Sequence, residues 1–96
     1  MQKLKNKTVF ITGASSGIGK ACAEAFANKG ANLILSARRI DRLVELSKQI
    51  ESKYMVNTYY FEMDVRNQHM VDSQINSLPE KWQQIDILIN NAGLSR

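Results

Sequence analysis

The chain has 96 residues, a length that accommodates one hydrophobic core and no second domain. Hydrophobic residues make up 44% and charged residues 23%, the balance of an ordinary soluble globular protein, and no apolar run approaches the roughly 20 residues of a membrane-spanning helix. The net charge of +4 is scattered apart from Lys3, Lys5, Lys7 and the adjacent Arg38 and Arg39, so the basic stripe of a nucleic-acid-binding surface is absent.

Val9, Phe10 and Ile11 form a wholly apolar run, which predicts a strand covered on both faces within a parallel sheet. The period then changes. Ile18, Ala21, Cys22, Ala25 and Phe26 recur at i, i+3, i+4, i+7 and i+8, an apolar helix stripe, and Gly30 stands where a left-handed C-terminal cap is wanted. Cys22 on that stripe reads as a buried structural thiol, and as the lone cysteine it can form no internal disulfide. Leu33, Ile34 and Leu35 predict a second buried strand, and Leu43, Leu46 and Ile50 a second amphipathic helix ending near Tyr54.

Residues 56–63 are rich in β-branched and aromatic side chains and predict a third strand; a helix follows over 67–78, with Asn67 as N-cap and Val71, Ile75 and Leu78 on its inner face. Pro79 helps to end it, Trp82 is expected beneath the sheet, and residues 85–89 predict a fourth strand that runs into Asn90, Asn91, Ala92 and Gly93. Strands and helices that alternate through short connections require a parallel sheet with right-handed crossovers. The expected architecture is therefore α/β, the first half of a Rossmann-type doubly wound fold with strand order 3-2-1-4.

Thr12-Gly13-Ala14-Ser15-Ser16-Gly17-Ile18-Gly19 ends the first strand and opens the first helix. Glycines there permit a tight turn and close approach of the backbone to a diphosphate, while exposed amides and the helix dipole favour an anion. The hydroxyls of Ser15 and Ser16 are two further candidate phosphate donors. The spacing is G-x-x-x-G-x-G rather than the commoner G-x-G-x-x-G.

This turn, Asp64-Val65 and the Asn90-Asn91-Ala92-Gly93 segment together resemble three signatures of the short-chain dehydrogenase/reductase family, in order and spacing over the whole chain. The resemblance implies that Gly13, Ser15, Ser16, Gly17, Ile18 and Gly19 hold the cofactor phosphates. It implies that Asp64 accepts a hydrogen bond from the adenine amine, with the Val65 backbone beside it. Asp64 read alone could instead simply cap the next helix. Of Asn90 and Asn91, the resemblance has one tie neighbouring strands together and the other face the cofactor, without saying which; Ala92 and Gly93 belong to the same segment, Gly93 leaving the floor of the site open. Glycine spacing and Asp64-Val65 stand against a P-loop or flavodoxin-like binder.

An NAD-selective site ends its second strand with a carboxylate for the ribose hydroxyls, whereas here Ala37 is followed by Arg38 and Arg39. A guanidinium meets a 2′-phosphate with paired charge-assisted hydrogen bonds, so the expected cofactor is NADP, with Arg38 the principal ligand and Arg39 and Ser15 assisting. The alternative is that both arginines are merely solvated. Asp41, further along, reads as a residue of the second helix's first turn.

In this family a Ser, a Tyr-x-x-x-Lys pair and an Asn carry out hydride transfer, all after the Asn-Asn-Ala-Gly strand; no Tyr here has Lys four positions on, and lone His69 has no partners for chemistry. Residues 1–96 are thus expected to be the NAD(P)-binding portion, cut before the catalytic residues. The parent is expected to interconvert a small alcohol or hydroxy acid and its carbonyl compound. The stretch 36–43 resembles the branch acting on serine and other 3-hydroxy acids. Residues 1–7 lack the features of a secretory signal, and a cytoplasmic protein, a homo-oligomer at full length, is expected. The other reading is a non-catalytic module of the same fold that senses NADP(H) or binds a protein partner.

Overall fold

The computed structural model describes residues 3–64 and 68–91, with the side chains of 68–71 left aside. The chain runs β1 (Thr8–Thr12), α1 (Gly17–Asn28), β2 (Asn32–Ala37), α2 (Ile40–Tyr54), β3 (Thr58–Glu62), α3 (Gln68–Asn76), a 3-10 turn (Glu80–Trp82) and β4 (Ile87–Asn90). All strand pairings are parallel and the order is β3-β2-β1-β4, as the alternation of elements requires.

Because successive strand residues point to opposite faces, the two central strands, β1 and β2, each feed two cores. Val9, Ile11, Leu33 and Leu35 pack with Ala23 and Ala27 of α1 and Leu43, Leu46 and Ile50 of α2. Phe10 and Ile34 turn the other way, against Met63, Leu78 and Trp82. Trp82 is buried beneath the sheet as expected, its ring 5.9 Å from that of Tyr59. The start of β4 is fixed by two bonds to one residue: Asp86 Oδ2 accepts from the Thr8 amide and the Asp86 amide donates to the Thr8 carbonyl, each at 2.9 Å.

The buried stripe of α1 lies one residue further on than the apolar spacing predicts. Gly19, Ala23 and Ala27 are buried, with Cys22 and Phe26 half-buried, while Ala21 and Ala25 are exposed and Ile18 is 62% exposed. Small residues set this helix against the sheet and the turn before it, and a hydrophobicity count gives glycine no weight. The helix ends as expected. Gly30 has φ 91°, its amide donates to the Ala27 carbonyl at 2.9 Å and the Ala31 amide to the Phe26 carbonyl at 3.2 Å, the two bonds of a Schellman cap.

Strand 3 is shorter than the run 56–63 suggests, because Met55 caps α2 in the left-handed region and Val56 drops into the core before pairing begins at Thr58. Strand 4 starts at Ile87 rather than Ile85, which instead packs beside Trp82. Helix α3 stops at Asn76, two residues short of Leu78, which is nonetheless buried. The predicted cap Asn67 lies outside the described residues.

Met55 adopts φ 57° and is 89% exposed, so it bears the backbone cost of a left-handed residue with almost no burial in return. Met55→Gly is therefore expected to stabilise the chain by about 0.5–1 kcal/mol in a denaturant titration. An unchanged or lower midpoint at constant slope would show that glycine's greater freedom in the unfolded chain cancels the gain.

Candidate functional site

All four strands are parallel, so their C-terminal ends line one edge of the sheet: Thr12 pairs with Ser36 and with Asn90, and Ala37 with Glu62. Sequence-predicted site residues leave the strands at that edge, from the glycine turn to Arg38, Asp64 and Asn91. The order 3-2-1-4 puts the reversal of winding between β1 and β4, where doubly wound sheets open a crevice.

The turn after β1 is built around one carbonyl. Gly13 has φ 63°, which carries its oxygen beneath the start of α1. That oxygen accepts from the Ser16 amide at 3.2 Å, from Ser16 Oγ at 3.0 Å and from Asn91 Nδ2 at 3.0 Å. Ser16 is the N-cap of α1, its Oγ accepting from the Gly19 amide at 3.1 Å and from Asn91 Nδ2 at 2.8 Å. The one hydroxyl proton and both acceptor positions of Ser16 are thus used inside the turn. The side chain of Ser16 builds the cradle, and the hydroxyl still available at the turn is that of half-buried Ser15.

Gly19 explains why the helix sits so close. A Cβ there would lie 2.2 Å from the Gly13 oxygen and 2.9 Å from Asn91 Nδ2, whereas a Cβ on Gly17 would meet nothing within 4 Å. One glycine serves contact inside the fold, and the other leaves open space at its mouth. The amides of Gly17 and Ile18, in the first turn of α1, have no carbonyl four residues back to bond and no partner among the described residues. A further bond, from the Ala14 amide to the Ser36 carbonyl at 3.0 Å, anchors the turn to β2.

The two asparagines divide their work. Asn90 Oδ1 accepts from Thr12 Oγ1 at 3.0 Å and ties β4 to β1. Asn91 is 1% exposed and spans the switch between the two strands, its amide nitrogen spent on Gly13 and Ser16. Its Oδ1 is buried without a partner among the described residues.

Arg38 and Arg39 are exposed just past β2, Arg39 occupying the N-cap position of α2 without a side-chain cap bond. Asp41 lies in the first turn of that helix, and Asp64 is half-buried past the end of β3. Val65, Ala92 and Gly93 lie outside the described residues. Sequence reading did not single out Arg42, Glu45 or Lys20, which line a cavity of about 210 Å³ beside Ser15. For the two on α2 the spacing carried the signal, since Arg42, Glu45, Leu46 and Gln49 share one helix face. Among the described residues no group of His, Cys, Asp and Glu gathers that could hold a metal ion, and no helix is long and apolar enough to cross a membrane.

Residues 7–96 match the family model of the short chain dehydrogenases, and the chain belongs to that family. It is 46% identical over 96 residues to the NADP-dependent 3-hydroxy acid dehydrogenase of Schizosaccharomyces pombe, covering 99% of this chain and 37% of that protein. Sulfoacetaldehyde reductase 2 of Chromohalobacter salexigens is 45% identical over 87 residues, 91% of this chain and 34% of the relative. The L-sorbose reductase of Gluconobacter frateurii, solved with NADPH and L-sorbose, superposes with a TM-score of 0.87 at 40% identity, over 96% of this chain and 35% of that one. The chain therefore spans little more than a third of the length of these relatives.

Gly19→Ala should destabilise the chain by about 1–3 kcal/mol, because a backbone oxygen with three donors cannot give way to a methyl group. Chemical denaturation of the variant measures this directly, and a cost below about 0.5 kcal/mol would mean that the close approach of α1 to the turn is not present in solution.

Proposed function

We propose that this chain is the NADP(H)-binding portion of a short-chain oxidoreductase whose whole form interconverts a small alcohol or 3-hydroxy acid and its carbonyl compound. The observation that carries the reading is the open mouth of the glycine turn: unfilled space at Gly17, two amides at Gly17 and Ile18 without a partner among the described residues, and the Ser15 hydroxyl of the same turn. A diphosphate there would receive amide hydrogen bonds and the favourable end of the α1 dipole. The cofactor, bound in this way, would supply or accept hydride.

The chain's own part is to bind and orient. Gly13, Ser16 and Gly19 hold the turn in shape, Asn91 braces it from β4, and Gly17 keeps space clear for the ligand. Asp64, past the end of β3 and followed in sequence by Val65, is assigned to the adenine, and Asn90, Ala92 and Gly93 are assigned to the same cofactor site. No carboxylate directly follows Ala37, and the exposed Arg38 and Arg39 provide cationic partners for a 2′-phosphate, with Ser15 assisting. The names of the NADP-dependent and NADPH-bound relatives support NADP over NAD. We infer that the acid and base of the reaction belong to a portion beyond these residues, and that the parent is a cytoplasmic homo-oligomer. This extends the family membership rather than the fold alone.

The test is direct binding of NADPH and NADH to the 96-residue chain by calorimetry, with Gly17→Ala beside it. NADPH is expected to bind about tenfold more tightly than NADH, the effect of roughly 1.4 kcal/mol from a partly screened guanidinium–phosphate pair. Gly17→Ala should leave stability within about 0.5 kcal/mol, since alanine favours a helix and meets no atoms, yet weaken both dinucleotides. No alcohol should be turned over by the chain alone. Equal affinity for the two dinucleotides would sink the NADP assignment, and oxidation of an alcohol would sink the placing of the catalytic groups elsewhere.

A further inference from the structure

The parallel strands have a second edge, where they begin, about 17 Å or one strand length from the glycine turn. Backbone bonds gather there residues that the sequence keeps apart. The Leu4 amide donates to the Lys29 carbonyl at 2.8 Å and the Asn32 amide to the Lys7 carbonyl at 2.9 Å, so the turn before β1 lies against the end of α1. The Asn57 amide donates to Asn32 Oδ1 at 3.0 Å, which brings in the end of α2 with Lys53 and Met55. Lys3, Lys5, Lys7, Lys29 and Lys53 are all exposed here, and no ion pair among the described residues engages them. Two carboxylates share the edge, each bonded to the first residue of a strand: Glu51 to Thr58 and Asp86 to Thr8. Glu80 and Lys81, in the turn that leads to β4, cancel. Five cations against two anions leave the edge positive.

Two of these lysines serve the fold itself, since Lys29 and Lys53 stand at helix C-termini, which favour cations. Lys3, Lys5 and Lys7 have no such role, and three like charges in one turn work against folding. On the same edge Met55 carries an apolar side chain, 89% exposed, at a left-handed position. Residues that break local rules with no return inside the fold mark a surface kept for a partner. Separate lysines suit a surface of many diffuse anionic groups, to which each adds about fivefold in affinity. A flexible exposed thioether suits the boundary between headgroups and acyl chains. Nucleic acid fits less well: Tyr54, at the end of α2, is half-buried with Lys53 Nζ 5.3 Å from its ring centroid, so its ring is not offered for stacking on a base.

We propose that the edge where the strands begin, with Lys3, Lys5, Lys7, Lys29 and Met55, is a docking surface for an anionic phospholipid bilayer. The attachment is peripheral, as no helix among the described residues is long and apolar enough to cross a membrane. It turns the opposite edge, with the glycine turn, away from the lipid, so adsorption and nucleotide binding are independent.

The experiment is cosedimentation of the 96-residue chain with vesicles of phosphatidylcholine, alone or mixed with phosphatidylserine. The chain is expected on the mixed vesicles and not on phosphatidylcholine alone, with an affinity that falls as salt is raised. Lys7→Gln should weaken binding about fivefold, Lys5→Gln and Lys7→Gln together about twentyfold, and Met55→Asn about threefold. Lys48→Gln, at an exposed position in the middle of α2, should cost less than about twofold. Asparagine accepts the left-handed conformation, and circular dichroism checks that every variant keeps its fold. The proposal is overturned if the chain stays off the mixed vesicles, or if the double lysine variant or Met55→Asn binds them as the wild type does. Equal losses from Lys48→Gln and Lys7→Gln would also overturn it, as the result of net charge alone. Binding of a single-stranded RNA oligonucleotide, with vesicle binding indifferent to Met55→Asn, would make the edge a nucleic-acid surface instead and sink the lipid assignment.

Discussion

The Gly13 carbonyl and the three donors that converge on it hold the site in place. Two come from Ser16 and one from Asn91, whose hydrogen bond joins residues 78 positions apart in sequence. A carbonyl so placed is impossible unless Gly13 has a positive φ and unless Gly19 brings no side chain to the contact. The mouth of the crevice follows from that knot: the direction in which α1 leaves the turn and the exposure of Gly17 and Ile18. An unsupported turn of glycines would sample many shapes, and the ordering cost would fall on ligand binding instead.

The same knot joins two halves of the winding. Thr12 and Asn90 connect β1 and β4 side by side, and Asn91 carries the link down to the turn. The sheet edge and the glycine turn therefore behave as one body, held by side-chain bonds as well as by strand pairing. Buried Asn91 is a costly way to achieve this, because its Oδ1 lacks a partner among the described residues. An acceptor buried without a partner costs about 1–3 kcal/mol, a sum comparable to what the two bonds of its amide nitrogen contribute.

Much of this was legible in the residues. Apolar runs at Val9 and Leu33, the Schellman glycine at position 30 and the change of period between them led to the parallel order 3-2-1-4, because local pattern and topology rules act together over short distances. The face of α1 was misplaced by one residue, since Gly19 and the small alanines bury contact area that a count of large apolar side chains overlooks. The role of the Ser16 hydroxyl was equally hidden. A serine in a phosphate turn reads as a ligand donor, and only the arrival of Asn91 from 75 residues away shows that both its acceptor positions are taken. Arg42 escaped notice for a related reason: its neighbours at the cavity, Ser15 and Lys20, belong to another element and meet it only after α1 and α2 have packed on the same side of the sheet.

The aromatic cluster on the opposite side has a practical side as well. Trp82 is the single tryptophan of the chain, buried at 6% exposure against Tyr59, with Phe61 and Phe10 beyond. Its indole touches none of the residues of the glycine turn and belongs wholly to the α3-side core. Its fluorescence thus offers an internal gauge of whether that layer is packed, read separately from whatever happens in the crevice. A shift of emission to the red would signal that layer loosening from the strands, before any change in nucleotide affinity is put down to the site itself.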